Sequence, residues 1–204
     1  MNLLEKIQKS NTTLIGYDAQ NEISVEKLLR FLPSVTLFEN VESIEILEHF
    51  NSLAHFRDYK LDSLLNDNSV NYIVVDLSSI YFNEGNEIGD NFRERRDQEI
   101  FSKVKFIKEL QSRVYTLSNN ESLVNFKLIL LTNIYVTMSP MSVQVEFRGG
   151  MNLMYVADLV VKFLGDTVSI EKDRCDSDYS SRIVKQELRE ISIKSLFDEI
   201  ATTT

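Results

Sequence analysis

The feature that most constrains this chain is an alternation. Short runs rich in β-branched and apolar residues are separated by longer stretches in which apolar residues recur at steps of three and four. Such alternation builds an α/β domain with a mostly parallel central sheet, because parallel neighbours need a crossover connection and a helix supplies it compactly. The strand-like runs are Thr12 to Tyr17 (TTLIGY), Val35 to Phe38 (VTLF), Tyr72 to Leu77 (YIVVDL), Phe126 to Thr132 (FKLILLT), Leu159 to Leu164 (LVVKFL) and Thr167 to Glu171 (TVSIE). Between them, Ser24 reads as the N-cap of a helix that carries Lys27, Leu28, Leu29 and Phe31. Pro33 closes that helix, since the residue before a proline leaves helical space. Ser43 to Leu65 and Phe92 to Leu117 supply two longer crossovers. In the second of these, Ile100, Val104, Ile107, Leu110 and Val114 make an apolar face, with Lys103, Lys105, Lys108 and Arg113 opposite. The stretch from Ser180 to Thr204 starts as a strand and finishes as an amphipathic helix that either closes the core or docks on a partner.

The chain has 204 residues, 43% of them apolar, enough for one sizeable core. With no internal repeat and no Pro/Gly-rich linker, residues 1–204 read as a single α/β domain with helices on both faces of the sheet. Residues 1–11 form an N-terminal helix or arm, 12–175 the core, and 176–204 a C-terminal strand and helix. A single cysteine, Cys175, excludes an internal disulfide. No stretch approaches the ~20 apolar residues of a membrane-spanning helix, so the expected setting is intracellular, in nucleus or cytoplasm, with no membrane partner. The net charge of −9 argues against a protein that coats nucleic acid by bulk electrostatics. The charge is uneven, however: residues 1–90 carry 6 basic and 15 acidic side chains, and residues 91–204 carry 16 of each. A polyanion would meet the second half.

Two non-repetitive segments, Asn83 to Asp97 (NEGNEIGDNFRERRD) and Tyr135 to Gly150 (YVTMSPMSVQVEFRGG), each begin just beyond the carboxyl end of a predicted strand. In an open parallel sheet that edge is where ligands bind. Asp76 ends an apolar strand, a place from which a carboxylate either holds magnesium or caps the following turn. A phosphate cradle needs G-x-x-x-x-G-K-[ST], and no glycine here is followed by lysine; Asp18 and Glu22 stand where phosphate oxygens would be repelled. Asp173, Asp176 and Asp178 lack the glycine and distal glutamate of a calcium loop and read as a solvated turn. Neither a metal nor a cofactor is implied.

The order of the pieces resembles the RecA-like recombinase core, which includes RecA, RadA and UvsX, over roughly residues 12 to 175. Gly16-Tyr17-Asp18-Ala19-Gln20 is similar to the family's apolar-Asp-[Ala/Thr]-Glu strand end, with Gln20 in place of the catalytic glutamate; an amide cannot act as that base. VTLFENVESIEILEHF resembles the next strand and crossover helix, and YIVVDLSSI resembles the Walker B strand with Asp76 kept. LILLTNIYV resembles the strand that ends in a polar sensor, but Asn133 is followed here by Ile134. FRGGMNLMYVADLVVKF is similar to the family's Gly-Gly, aromatic, Ala-Asp sequence in Gly149, Gly150, Tyr155, Ala157 and Asp158. Lys172 and Arg174 resemble a Lys-x-Arg element that reaches a nucleotide across a subunit interface.

The resemblance implies a pseudo-ATPase lacking the Walker A P-loop, with Asp18, Gln20, Asp76 and Asn133 at degenerate ATPase positions. It implies a non-catalytic accessory subunit that pairs with another RecA-fold protein, a recombinase or paralog, and supports DNA recombination, repair or replication on single-stranded DNA. Arg93, Arg95, Arg96, Lys103 and Arg148 are the candidate DNA contacts, since guanidinium pairs bidentately with phosphate. The alternative for the three arginines in the 93–96 stretch is an exposed helix start laced with acidic residues. Phe92 and Phe147 are the candidates for base stacking. Two further readings are a subunit that contributes Lys172 and Arg174 in trans to a neighbouring ATPase site, and a scaffold subunit of a RecA-fold ring. A charged hairpin turn is the structural alternative for Lys172 and Arg174.

Overall fold

The computed structural model describes residues 3–32, 71–78, 100–108, 110–112, 126–139, 142–148, 152–174 and 190–203. The elements are α1 (Leu3–Lys9), β1 (Thr12–Tyr17), α2 (Glu22–Leu29), β2 (Asn71–Asp76), α3 (residues 100–108 and 110–112), β3 (Phe126–Ser139), β4 (Ser142–Phe147), α4 (Asn152–Val156), β5 (Leu159–Leu164), β6 (Thr167–Asp173), β7 (Ile191–Ser192) and α5 (Ile193–Thr203). The strand expected at Val35 to Phe38 and the crossover at Ser43 to Leu65 lie outside the described residues.

β1 is buried along its whole length, which requires partners on both sides and cover on both faces. It has both. β3 runs parallel to it from Thr12↔Leu128 to Tyr17↔Asn133, and β5 runs parallel on the other side from Thr13↔Leu159 to Tyr17↔Phe163. β2 adds in parallel to β3, β6 pairs antiparallel with β5, and β7 pairs antiparallel with β6, giving the order β2-β3-β1-β5-β6-β7. This is the expected α/β fold with a mostly parallel central sheet flanked by helices, an arrangement compatible with a single RecA-like domain.

Alternation along the strands divides the core between two faces. Leu14, Val75, Leu128, Leu130 and Val160 point to one face, where Phe106, Ile107 and Leu110 of α3 and Leu153 of α4 cover them. Ile15, Val74, Ile129, Val161 and Phe163 point to the other, beneath α1, α2 and α5. Each helix is held by an apolar stripe: Leu3 and Ile7 in α1, Val25, Leu28 and Leu29 in α2, Leu196 and Ile200 in α5. The C-terminal helix therefore closes the core. Its Phe197 packs against Phe31, with ring centroids 6.2 Å apart, and carries the Lys27 ammonium 4.3 Å from its centroid. None of the described helices is long and apolar enough to cross a membrane.

Four local readings are corrected by the structure. α2 begins at Glu22 with Asn21 as N-cap, not at Ser24, because a tight turn from Asp18 delivers the chain early: the Asn21 N–H donates to the Asp18 carbonyl (3.0 Å). The helix does stop ahead of Pro33, unwinding through the turns Phe31 N–H to Leu28 O and Leu32 N–H to Leu29 O, both 3.1 Å. The segment from Tyr135 is not irregular. β3 runs on past its last parallel partner and folds back antiparallel with β4, from Ile134↔Phe147 to Ser139↔Ser142. Lys103, expected on a solvated face of α3, is 1% exposed and lies on the buried face with Phe106, Ile107 and Leu110, while Phe101 is 71% exposed. Finally, Asp173 does not sit in a solvated turn. It ends β6, and its buried carboxylate forms an ion pair with Lys6 of α1.

Candidate functional site at the carboxyl edge of the sheet

The parallel strands β1, β2 and β3 bring Asp18, Asp76 and Asn133 to one edge of the sheet, together with Arg148 at the end of β4. β1 lies between β3 and β5, and a loop of four residues leads from it directly into α2. A strand, a loop and a helix in that sequence form the unit that holds phosphate when the loop supplies backbone N–H groups and a lysine. Asp18, Ala19 and Gln20 therefore lie in the loop of such a unit, rather than at the end of a strand that follows it. The loop, Asp18 to Asn21, contains neither glycine nor lysine.

The Asp18 carboxylate is engaged on both oxygens. Oδ1 accepts from the Gln20 N–H (3.1 Å) and from Asn21 Nδ2 (2.8 Å), and Oδ2 accepts from the Gly165 N–H (2.8 Å). Gly165 belongs to the tight turn between β5 and β6 and adopts φ +56°, a left-handed conformation that favours glycine. Asn21 is 3% exposed and also donates from Nδ2 to the Gly165 carbonyl (2.9 Å). Beside this loop Tyr17 is buried among Asp76, Glu22 and Glu26. Burial first, and then those carboxylates, push its phenol well above the ordinary tyrosine range.

Asp76 caps its own turn, accepting from the Ser78 N–H at 2.8 Å. Ser78 Oγ in turn accepts from the Asn133 N–H at 3.0 Å, so the ends of β2 and β3 are laced together. Arg148 is pinned by its backbone: its N–H donates to Asn133 O (2.7 Å) and its carbonyl accepts from Thr132 Oγ1 (2.9 Å). That anchorage leaves the Arg148 side chain exposed at the edge. Phe147 next to it is not available for base stacking. It is 5% exposed, and its ring lies over Gly16 of β1, where a Cβ would meet Phe147 Cε1 at 2.2 Å. Arg93, Arg95, Arg96, Phe92, Gly149 and Gly150 lie outside the described residues. Buried Lys103 offers no exposed ammonium to a polyanion.

Lys172 and Arg174 stand at the opposite edge, because β6 runs antiparallel and ends beside the start of β5. The strand length puts them roughly 15–20 Å from Asp18. Lys172 Nζ donates to the carbonyls of Met154 (2.7 Å) and Ala157 (2.5 Å) at the end of α4, satisfying acceptors that a helix terminus leaves open. Burial, then the neighbouring Arg174, lower its pKa, and Asp158 opposes them. Asp158 accepts from the Thr12 N–H (3.2 Å) and returns its own N–H to Thr12 O (2.8 Å), tying β5 to β1. Tyr155 is 66% exposed and Ala157 buried. Only the sequence distance between Asp18 and Gly165 kept their meeting from being foreseen; a glycine between two strand runs was the available signal.

The sequence matches no protein-family model. It matches no curated protein either.

Proposed function

We propose that this chain is a non-catalytic, recombinase-paralog-like subunit that pairs with another RecA-fold protein and supports DNA recombination, repair or replication on single-stranded DNA. One observation carries the reading. The four-residue loop between the central strand β1 and α2 has no lysine, and it places the Asp18 carboxylate in the loop and Glu22 at the first position of the helix, where a phosphate would have to sit. A triphosphate arriving there would meet like charge and find no lysine in the loop, so the chemistry that remains for such a fold is assembly. Exposed Arg148, held rigidly at the same edge, suits contact with backbone phosphate.

Fluorescence titration with a labelled single-stranded oligonucleotide, at about 50 and about 200 mM salt, tests the DNA limb of this reading. The native chain is expected to bind more weakly at the higher salt. Replacing Arg93, Arg95, Arg96 and Arg148 together by alanine should weaken binding and flatten the logarithmic salt slope by about 0.7 for each phosphate that is no longer neutralised. Equal affinity and equal slope in the two chains would remove nucleic acid from the proposal.

A further inference from the structure

An Asp two residues before a free N–H commonly closes a local turn, and for that one carboxylate oxygen suffices. Asp18 does more. While Oδ1 serves the local Gln20 N–H, Oδ2 reaches the N–H of Gly165, 147 residues away in sequence. The buried Asn21 amide bridges the same two places, from Asp18 Oδ1 to the Gly165 carbonyl. Three donors from two separate turns thus converge on one anion at the end of the central strand, just ahead of the first turn of α2. Convergent N–H groups before a helix are the arrangement that strand-loop-helix units use to hold an external phosphate. We propose that Asp18 is a built-in anion: its carboxylate clasps the β1–α2 loop to the β5–β6 turn, so that this edge of the sheet is held closed by the chain itself and needs no ligand. The clasp rests on the non-nucleotide reading proposed above and supplies its physical cause.

The two oxygens make the clasp separable from an ordinary turn. In Asp18→Asn, one oxygen remains to accept from Gln20, but the new NH2 group cannot accept from Gly165. In Asp18→Ala neither hydrogen bond can form. Native-state amide hydrogen exchange of the full chain reads the difference at Gly165, with the Leu14 and Ile15 amides of the β1 ladder as internal reference. At this exposed turn the hydrogen bond to Asp18 should slow exchange at Gly165 by about threefold to tenfold in the native chain. Both variants are expected to lose that protection at Gly165, and Asp18→Asn to do so with the Leu14 and Ile15 rates little changed. Native-like protection of Gly165 in Asp18→Asn would overturn the clasp while leaving the functional proposal untouched. Magnesium-ATP binding by the native chain would overturn the functional proposal, and the clasp with it.

Discussion

Gly16→Ala is expected to destabilise the folded chain by about 1–3 kcal/mol, toward the upper end of what overpacking costs. The added Cβ would lie 2.2 Å from Phe147 Cε1, 2.6 Å from Phe147 Cδ1 and 2.7 Å from Ile134 Cγ2. Neither neighbour can swing into solvent, since Phe147 is 5% and Ile134 6% exposed. These two side chains also form the first cross-strand pair of the β3–β4 hairpin, so any shift that relieves the clash displaces the hairpin and the Arg148 that follows it. For a chain of this size the melting temperature should fall by about 3–10 °C. The cause is separable by a second change. Phe147→Leu alone should also destabilise, by leaving a void, but the double variant Gly16→Ala/Phe147→Leu should be more stable than the two costs added together. Strict additivity in thermal melts would show that the contact between Gly16 and the Phe147 ring is not what fixes glycine at this position.

Lys6→Met should cost about 3 kcal/mol, because the buried Asp173 carboxylate loses its ammonium partner, and breaking a buried ion pair costs roughly 3–5 kcal/mol. Lys6 Nζ pairs with Asp173 Oδ2, and the Asp173 side chain is 1% exposed. Both residues make other contacts, and Lys6 is 14% exposed, which holds the figure at the low end of that range. The pair joins α1 to the last residue of β6, across 167 positions. Urea denaturation provides the measurement. Adding Asp173→Asn to Lys6→Met removes the buried charge and should recover part of the stability. A Lys6→Met midpoint within the scatter of the native chain would mean that water or another group satisfies Asp173.

Strands were the most legible part of the sequence. TTLIGY and LVVKFL are buried parallel strands whose apolar run coincides with their full length, and period alone gives their bounds. β3 was legible only up to Thr132, because the polar pair Thr132-Asn133 interrupts the apolar run where the strand leaves the parallel sheet. Beyond it the alternation continues through Ile134 and Val136, opposite Val145 and Phe147, but on a hairpin whose partner strand is the only source of register. Lys103 was misplaced for a related reason. A helix with Ile100, Val104 and Ile107 in line admits more than one apolar stripe, and tertiary packing selected the one containing Lys103, Phe106, Ile107 and Leu110.

At the carboxyl edge, the composition of the loop was readable and its wiring was not. That Asp18 and Glu22 oppose phosphate follows from charge alone. That Asp18 is held by Gly165, and that Phe147 is consumed by packing on Gly16, depends on which distant segments become neighbours. Asp76 lacing its own turn was one of two readings open in the sequence, and the structure shows that contact directly. Lys172 could be read as a residue reaching outward; it is instead engaged with the carbonyls that end α4, leaving Arg174 as the exposed cation of that pair.

We propose that this strand-loop-helix edge of the sheet does not grip a triphosphate. Isothermal titration calorimetry of the native full chain with magnesium-ATP tests it most directly. No binding heat above dilution is expected at concentrations where a working site would saturate. Tight binding that disappears when magnesium is chelated would contradict it.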